Sequence, residues 1–245
     1  MNARVRKKIE GFVNQNIDTF HLNRLNRIKK VSLRDILKRK NPYLFRAKNL
    51  NSGPELVASV MDAFLSSSEE ELFGQFLEDL AIYIAEITCG GHKSAAEGID
   101  LEISREGVKF IIAIKSGPNW GNRSQYNDLK LKFKNAKKVL SQSRRMLPVQ
   151  PVLGICYGKF KKVNTGEYLK IGGQCFWHFI SGDENLYIDL IEPLGYETKR
   201  HNDGYLKEKA NTYNRFTKEF LDEFCLESGQ IDWPRLVQFN SGNLT

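Results

Sequence analysis

The stretch GIDLEISREGVKFIIAIKSGPNWGN, residues 98–122, decides the fold. Apolar and polar residues alternate over positions 99–104, and this period of two is typical of a half-buried strand. Glu106-Gly107 predicts a two-residue hairpin turn, because glycine adopts positive φ without steric cost. The second strand, residues 108–115, has apolar residues at its even positions, which we expect to face a core.

The turn also determines which residues of the two strands face each other. It pairs Arg105 with Val108. Asp100 then lies opposite Ala113, and Lys115 follows two positions later on the same face. Opposite residues have Cβ atoms about 5 Å apart and diagonal neighbours about 7 Å. We therefore expect a carboxylate and a lysine to converge on one face while the other packs on the core, with a plain surface ion pair as the alternative.

The combination of Asp100, a hairpin and Ala113-Ile114-Lys115 resembles the catalytic motif of the PD-(D/E)XK nuclease superfamily. In that family the Asp and a second acid bind Mg²⁺, and the Lys orients the attacking water and stabilises charge on the phosphate. The resemblance implies that Asp100 binds the metal, and because a hard cation prefers oxygen ligands, we expect the carbonyl of Ile114 to supply another. The resemblance also implies a catalytic role for Lys115.

The loop that follows the hairpin, residues 115–122, resembles the KSGPNWGN-type loop of a branch of type II restriction endonucleases. The resemblance extends from about Glu69 to Asn240 and includes three more segments, residues 76–81, 154–158 and 191–196. It implies Mg²⁺-dependent, sequence-specific hydrolysis of double-stranded DNA that leaves 5′-phosphate ends. It also implies a cognate DNA methyltransferase in the same system, with which no direct contact is needed.

Ala113 departs from the family pattern, because it occupies the position of the second acid and offers no side-chain ligand. Some family members recruit a glutamate from a preceding helix. The helix predicted over residues 69–88 carries Glu78 and Asp79 at the edges of its apolar stripe. Glu78 is our preferred candidate for the missing metal ligand and catalytic residue, followed by Glu102 and Asp79. For Glu78 and Asp79 the alternative is that both are solvated residues at the edge of the helix.

Polar and basic side chains on both sides of the hairpin are candidates for DNA contact. The set comprises Lys93, Ser94, Ser116, Asn119, Trp120, Asn122 and Arg123. Packing of Trp120 into the core is the structural alternative for the loop. A helix predicted from Ser124 to Ser141 carries many lysines, and the basic run continues to Arg144 and Arg145. Such a run is usually solvated, but it also suits the DNA backbone.

The composition agrees with a phosphate-binding protein. The chain has a net charge of +8 and a pI near 9.2, and an excess of bases beside a phosphodiester site favours a DNA-binding surface. Four widely spaced cysteines without a CxxC motif indicate neither a zinc site nor a redox site. No stretch is long and apolar enough for a membrane span, and no secretory signal is present, so we expect a reducing cytoplasm.

The expected fold is α/β: a mixed central sheet flanked by helices, as in restriction endonucleases, with an N-terminal helical part. We divide the chain into a helical arm, residues 1–50, for dimerisation or DNA clamping, and a nuclease domain, residues 51–245. A helix from Pro54 should end near Leu65, and Ser68 should cap the next one.

A homodimer is expected, since two copies related by a two-fold axis cut both strands of a palindrome most simply. The N-terminal helices are the candidate interface. Three other functions remain open: a repair or recombination nuclease that acts on DNA structure, a non-catalytic DNA-binding protein, and a basic RNA-binding protein. The last is disfavoured because the chain lacks exposed-looking aromatic motifs.

Overall fold

The structure, a computed structural model, describes residues 1–140, 147–195 and 198–243. Arg144, Arg145 and Tyr196 therefore lie outside the described residues. The helices are α1 Ala3–Lys30, α2 Leu33–Arg39, α3 Pro42–Ala47, α4 Gly53–Cys89, α5 Arg123–Leu140, α6 Gln174–Ser181, α7 Leu186–Asp189, α8 Ile191–Gly195, α9 Thr198–Phe224 and α10 Trp233–Ser241. The strands are β1 His92–Lys93, β2 Leu101–Arg105, β3 Val108–Lys115, β4 Val149–Ile155, β5 Val163–Asn164 and β6 Leu169–Gly172.

Six strands among the described residues form one mixed sheet in the order β1-β2-β3-β4-β6-β5. The central strands β3, β4 and β6 are parallel, and the other three pairings are antiparallel. The carboxyl ends of the parallel strands therefore meet at one edge of the sheet. The predicted α/β fold with a mixed sheet and flanking helices is confirmed.

The β2–β3 hairpin has the predicted turn and register. Glu106 and Gly107 both have positive φ, 53° and 74°, as a type I′ turn requires. Arg105 pairs with Val108, and the Asp100 N–H donates to the Ile112 carbonyl at 2.9 Å. The expected position of Asp100, opposite Ala113, follows from this register.

The expectation that only one face of the hairpin is core is wrong. Ile111 and Ala113, on the face that carries Lys115, are fully buried and pack with Leu129 and Phe133 of α5. The reason is that β3 has a parallel partner, β4, and a parallel connection places its crossover helix on one face of the sheet. Both faces of β3 are covered at Ile111 and Ala113, and Asp100 and Lys115 lie where the β2–β3 pairing ends.

The two helices predicted around residues 66–68 are one continuous helix of 37 residues, α4. The Ser67 hydroxyl donates to the Ala63 carbonyl, one turn back, at 2.9 Å. Ser68 is buried within the same helix. Packing along its length thus overrides the local capping signal.

The chain divides into two compact units. The sheet unit comprises Met1–Ile17 and Phe73–Tyr196, and the helical unit comprises Asp18–Leu72 and Glu197–Thr245. The functional division at residue 50, with its helical arm, stays a prediction.

A core of aromatic and aliphatic side chains stabilises the helical unit. Phe220 has no exposed surface and lies in this core with Phe216 and Phe224. Phe220→Ala should therefore lower the free energy of unfolding by about 3–5 kcal/mol, because it removes buried surface and leaves a cavity. Denaturant unfolding measures the change. The neighbouring Leu221, which is 40% exposed, provides the control; an equal loss in Leu221→Ala would contradict this account of the core.

Candidate active site

Asp100 lies just before β2, where β3 continues without an antiparallel partner. Its Oδ2 accepts a hydrogen bond from the Ile114 N–H at 2.6 Å, and its carbonyl accepts one from the Ser94 N–H at 3.1 Å. Burial raises the pKa of Asp100, although the Ile114 hydrogen bond and the nearby Lys115 act in the opposite direction. The carboxylate is thus held in place and only partly solvated.

The backbone of Ile114 faces Asp100 as well. In a strand, alternate residues direct their N–H and C=O groups to opposite neighbours. The Lys115 carbonyl accepts from the Cys156 N–H of the β4 side at 2.9 Å, whereas Ile112 and Ile114 bond toward Asp100. The Ile114 carbonyl therefore points to the β2 side, beyond Leu101, where the pairing of β2 with β3 ends.

Glu78 lies on α4, whose Ala85 side chain meets those of Leu101 and Ile103 around Gly91, on the face of the sheet opposite to α5. Burial raises the pKa of Glu78, repulsion from Asp100 adds to the rise, and attraction to Lys115 and Lys93 lowers it. The two carboxylates and the two lysines are therefore close enough to act on one another. Asp79, the next residue, is exposed, and its carboxylate accepts from the Gln75 amide at 3.3 Å.

Glu102 is engaged elsewhere. Its carboxylate is buried and accepts from Lys109 Nζ at 2.9 Å and from the Ser94 hydroxyl at 2.8 Å, with His92 Nε2 at 3.7 Å. Burial alone would raise the pKa of Glu102, but these hydrogen bonds outweigh it and leave the pKa lowered. Glu102 and Ser94 thus belong to a network of ion pairs and hydrogen bonds that includes Lys109 of the same hairpin.

The loop after β3 combines exposed and packed residues. Asn119 and Arg123 are exposed, and Ser116 lies against Gly74 of α4. Trp120 is half-buried, with its ring 4.7 Å from that of Tyr126 and 5.8 Å from Lys115 Nζ. Its packing matches the structural alternative given above for this residue.

Asn122 caps α5, which begins at Arg123 and not at the predicted Ser124. The Asn122 Oδ1 accepts from the Gln125 N–H at 3.1 Å, and Gln125 Oε1 accepts from the Asn122 N–H at 2.8 Å. This reciprocal pair is a capping box with an amide in each role. The Asn122 side chain is therefore already used by the helix start.

Two further residues near the carboxylates were not identified from the sequence. The lysine run on α5 hides Lys132, whose stem lies over Gly98 and whose charge acts on Asp100 while its Nζ pairs with Asp128 at 2.8 Å. Cys156 is buried, and burial first and the Glu78 charge second raise the pKa of its thiol. The sequence pointed to Cys156 only because it lies in the segment 154–158, which belongs to the family resemblance.

The donor atoms at this position suit a hard divalent cation. Among the described residues, no group of three or more His, Cys, Asp and Glu side chains has a metal-binding arrangement. Asp100, Glu78 and the Ile114 carbonyl nevertheless present only oxygen, and Mg²⁺ prefers oxygen ligands and keeps several waters. A cation would also compensate the burial that raises the pKa of both carboxylates and the repulsion from Asp100 that adds to the rise for Glu78.

The mixed sheet with flanking helices is a restriction-endonuclease-like fold, and acids and lysines meet at its edge. The family model of type II restriction endonuclease EcoO109I matches residues 7–202. Because this match covers more than half of the chain, the chain belongs to that family, and it is a nuclease that acts on DNA. A search among curated proteins finds no significant match. None of the helices in residues 1–140, 147–195 and 198–243 has the length and apolar character needed to span a bilayer.

Proposed function

We propose that the chain hydrolyses phosphodiester bonds of double-stranded DNA at a specific sequence, with Mg²⁺, and leaves 5′-phosphate ends. The observation that carries this proposal is the meeting of Asp100 and Glu78 with Lys115 and Lys93 at the open end of the hairpin. Membership of the restriction endonuclease family supports sequence-specific cutting over the structure-specific and non-catalytic alternatives.

In this mechanism Asp100, Glu78 and the Ile114 carbonyl would hold the cation. The cation, when bound, polarises the phosphate and lowers the pKa of a bound water. Asp100 is kept in one orientation by the Ile114 N–H. Lys115, on the same strand, orients the attacking water and stabilises the negative charge that develops on the phosphate. The water oxygen bonds to phosphorus as the bond to the 3′ oxygen breaks; the water gives up one proton to solvent and the 3′ oxygen takes one up, so the products carry a 5′-phosphate and a 3′-hydroxyl.

Basic and polar groups around the carboxylates hold the DNA. Lys93 lies on β1 and is exposed, and the charge of Lys132, whose stem lies over Gly98, also acts on Asp100. Asn119 and Arg123 are exposed in the loop that leaves the active-site strand, so we assign them to the DNA backbone or base edges. Ser116, Trp120, Asn122 and Ser94 have structural contacts and contribute by shaping this surface. The affinity of such a surface should fall steeply with salt.

The assay that tests the function is digestion of plasmid DNA with Mg²⁺ and mapping of the ends. Discrete fragments from many unrelated plasmids, with cuts at one short sequence and 5′-phosphates at each end, are expected. Cuts confined to branched or damaged DNA would instead identify a structure-specific nuclease. Binding without cutting at any Mg²⁺ concentration would identify a non-catalytic DNA-binding protein.

A homodimer is the proposed working form, with the helical arm of residues 1–50 as the interface or clamp, and a cognate methyltransferase protects the host sequence. Sedimentation velocity should give twice the chain mass at micromolar concentration, both free and with duplex DNA. A single-chain mass in both samples would rule out a two-fold complex. A cytoplasmic location stays a prediction.

A further inference from the structure

We propose that the sheet unit contains a second binding site, a cavity that takes one nucleotide. The proposal rests on the proposed function, because the nucleotide in question is the one beside the cleaved bond of the DNA strand. Its chemistry, an aromatic slot next to a phosphate-binding helix end, also suits a free mononucleotide.

The cavity has a volume of about 580 Å³ and lies at the carboxyl ends of β4 and β6. In open α/β sheets, ligands bind in the crevice outside the carboxyl ends of the strands. The volume is within the range of small-molecule sites. Residues that line it include Tyr157, Phe160, Gly173, Cys175, Trp177 and Tyr187.

The wall of the cavity is joined directly to the candidate active site. The Cys156 N–H donates to the Lys115 carbonyl at 2.9 Å, and the Tyr157 N–H donates to the Ser116 carbonyl at 3.1 Å. The Tyr157 hydroxyl also lies against Gly117, where an added Cβ would be 2.3 Å from it. A nucleotide next to the scissile phosphate is therefore within reach of the cavity.

Two exposed tyrosines provide faces for a base. Tyr157 is 48% exposed and Tyr187 is 39% exposed, although both line the cavity. Stacking on an aromatic face accepts any base, because every base has a π-face. Trp177, in contrast, is buried, and its indole N–H donates to the Cys156 carbonyl at 2.8 Å, so it forms a rigid floor.

Glycines hold a further aromatic wall in place. Phe160 packs on Gly158 and Gly172, where an added Cβ would lie 2.6 Å from its ring in each case. The ring is thus fixed by close backbone approach and narrows the cavity from one side. A flat ligand fits such a space better than a bulky aliphatic one.

The start of α6 supplies the phosphate end of the site. Gly173, with φ 56°, precedes this eight-residue helix and provides no side-chain cap. The N–H groups of Gln174 and Cys175 have no acceptor in the described part of the chain, and both residues line the cavity. Free N–H groups at a helix start bind anions. Lys159 adds a positive charge, and no Asp or Glu lines the cavity among the described residues.

Cys175 allows a direct test, because it is exposed and lines the cavity, whereas Cys156 is buried. The rate of maleimide labelling at each cysteine is measured by peptide mass spectrometry. The ligands are each of the four deoxynucleoside 5′-monophosphates, a duplex carrying the mapped cleavage sequence with Ca²⁺, and that duplex with one abasic position beside the cut. We expect the intact duplex to slow labelling of Cys175 at least fivefold, with Cys225 unchanged.

The variant Tyr187→Ala should remove this protection, and Tyr187→Phe should keep it. Tyr43→Ala, which removes a tyrosine that is 63% exposed in the helical unit, is the matched control and should also keep it. Protection by the intact but not the abasic duplex supports a DNA base in the cavity. Protection by a monophosphate alone supports the same site filled by a free nucleotide.

Two results would overturn the proposal. One is that no ligand slows the labelling of Cys175. The other is that the abasic duplex protects Cys175 as well as the intact duplex does and that Tyr187→Ala keeps this protection. Failure of the proposed function is distinguishable, because plasmid cutting and a gel-shift with the same duplex are run in parallel. If the chain neither cuts nor binds DNA, the monophosphate samples decide the nucleotide site by themselves.

Discussion

Asp100→Asn is expected to abolish DNA cleavage while leaving DNA binding nearly unchanged. Asn retains an oxygen that accepts the Ile114 N–H hydrogen bond of 2.6 Å, so the local backbone should hold. It loses the negative charge that binds the cation and thereby the water activation that the cation provides. Lys115→Ala should lower the cleavage rate by about 10²–10³-fold, because it removes one preorganised charge from the transition state.

Single-turnover cleavage with Mg²⁺ and gel-shift binding with Ca²⁺ measure the two effects of these variants. Asp79→Asn, which removes an exposed acid that accepts only from the Gln75 amide in the described structure, is the matched control. It should cut at the wild-type rate. Cutting at the wild-type rate by both Asp100→Asn and Lys115→Ala would show that the site is misassigned.

Asp100→Asn should also stabilise the metal-free protein. Burial raises the pKa of Asp100, so the folded chain binds this proton more tightly than the unfolded chain does. The ionised carboxylate therefore costs stability above the folded pKa, and stability returns as the pH falls through it. Without metal, Asp100→Asn should have a higher denaturant midpoint than the wild type at pH 8, and the difference should shrink toward pH 4. A lower midpoint at pH 8 would contradict the buried position of the carboxylate.

Glu78→Gln is the second substitution with a large expected effect. Glu78 interacts with Asp100, Lys115 and Lys93, and it is the only helix acid that we assign to replace the one missing at Ala113. Removing its charge should weaken Mg²⁺ binding and lower the cleavage rate by about 10²-fold at limiting Mg²⁺, within the range for loss of one charge-stabilising group. Higher Mg²⁺ should recover part of the rate.

A Mg²⁺ titration of the cleavage rate, compared with Asp79→Asn and with Glu102→Gln, tests this assignment. Glu102 is paired with Lys109 at 2.9 Å, so its variant should lose stability and keep its Mg²⁺ dependence. The raised pKa of Glu78 in the metal-free protein also predicts that protons compete with Mg²⁺ at a higher pH than at an ordinary carboxylate, so cleavage at limiting Mg²⁺ falls earlier on acidification. Normal cutting by Glu78→Gln at low Mg²⁺ would remove this residue from the site.

Much of the hairpin could be predicted because its signals are local. The alternation over 99–104 and the turn at Glu106-Gly107 determine the register without any distant residue, and the structure has that register. The resemblance of the motif to nucleases agrees with the family match over residues 7–202. Both parts of α4 were predicted, the first from Pro54 and the second from its apolar stripe, but not that they form one continuous helix.

The sequence by itself therefore determined the two strands of the hairpin, their turn, the alignment of Asp100 with Ala113 and the class of nuclease. Tertiary structure decided the rest, because those contacts join residues far apart in the chain. Only the parallel pairing of β3 with β4 shows that α5 buries the Ala113 face. Only the packing of α4 on the other face places Glu78 beside Asp100 and leaves Glu102 to Lys109. No periodicity encodes the position at which a helix crosses a sheet, since that position depends on the shapes of both surfaces.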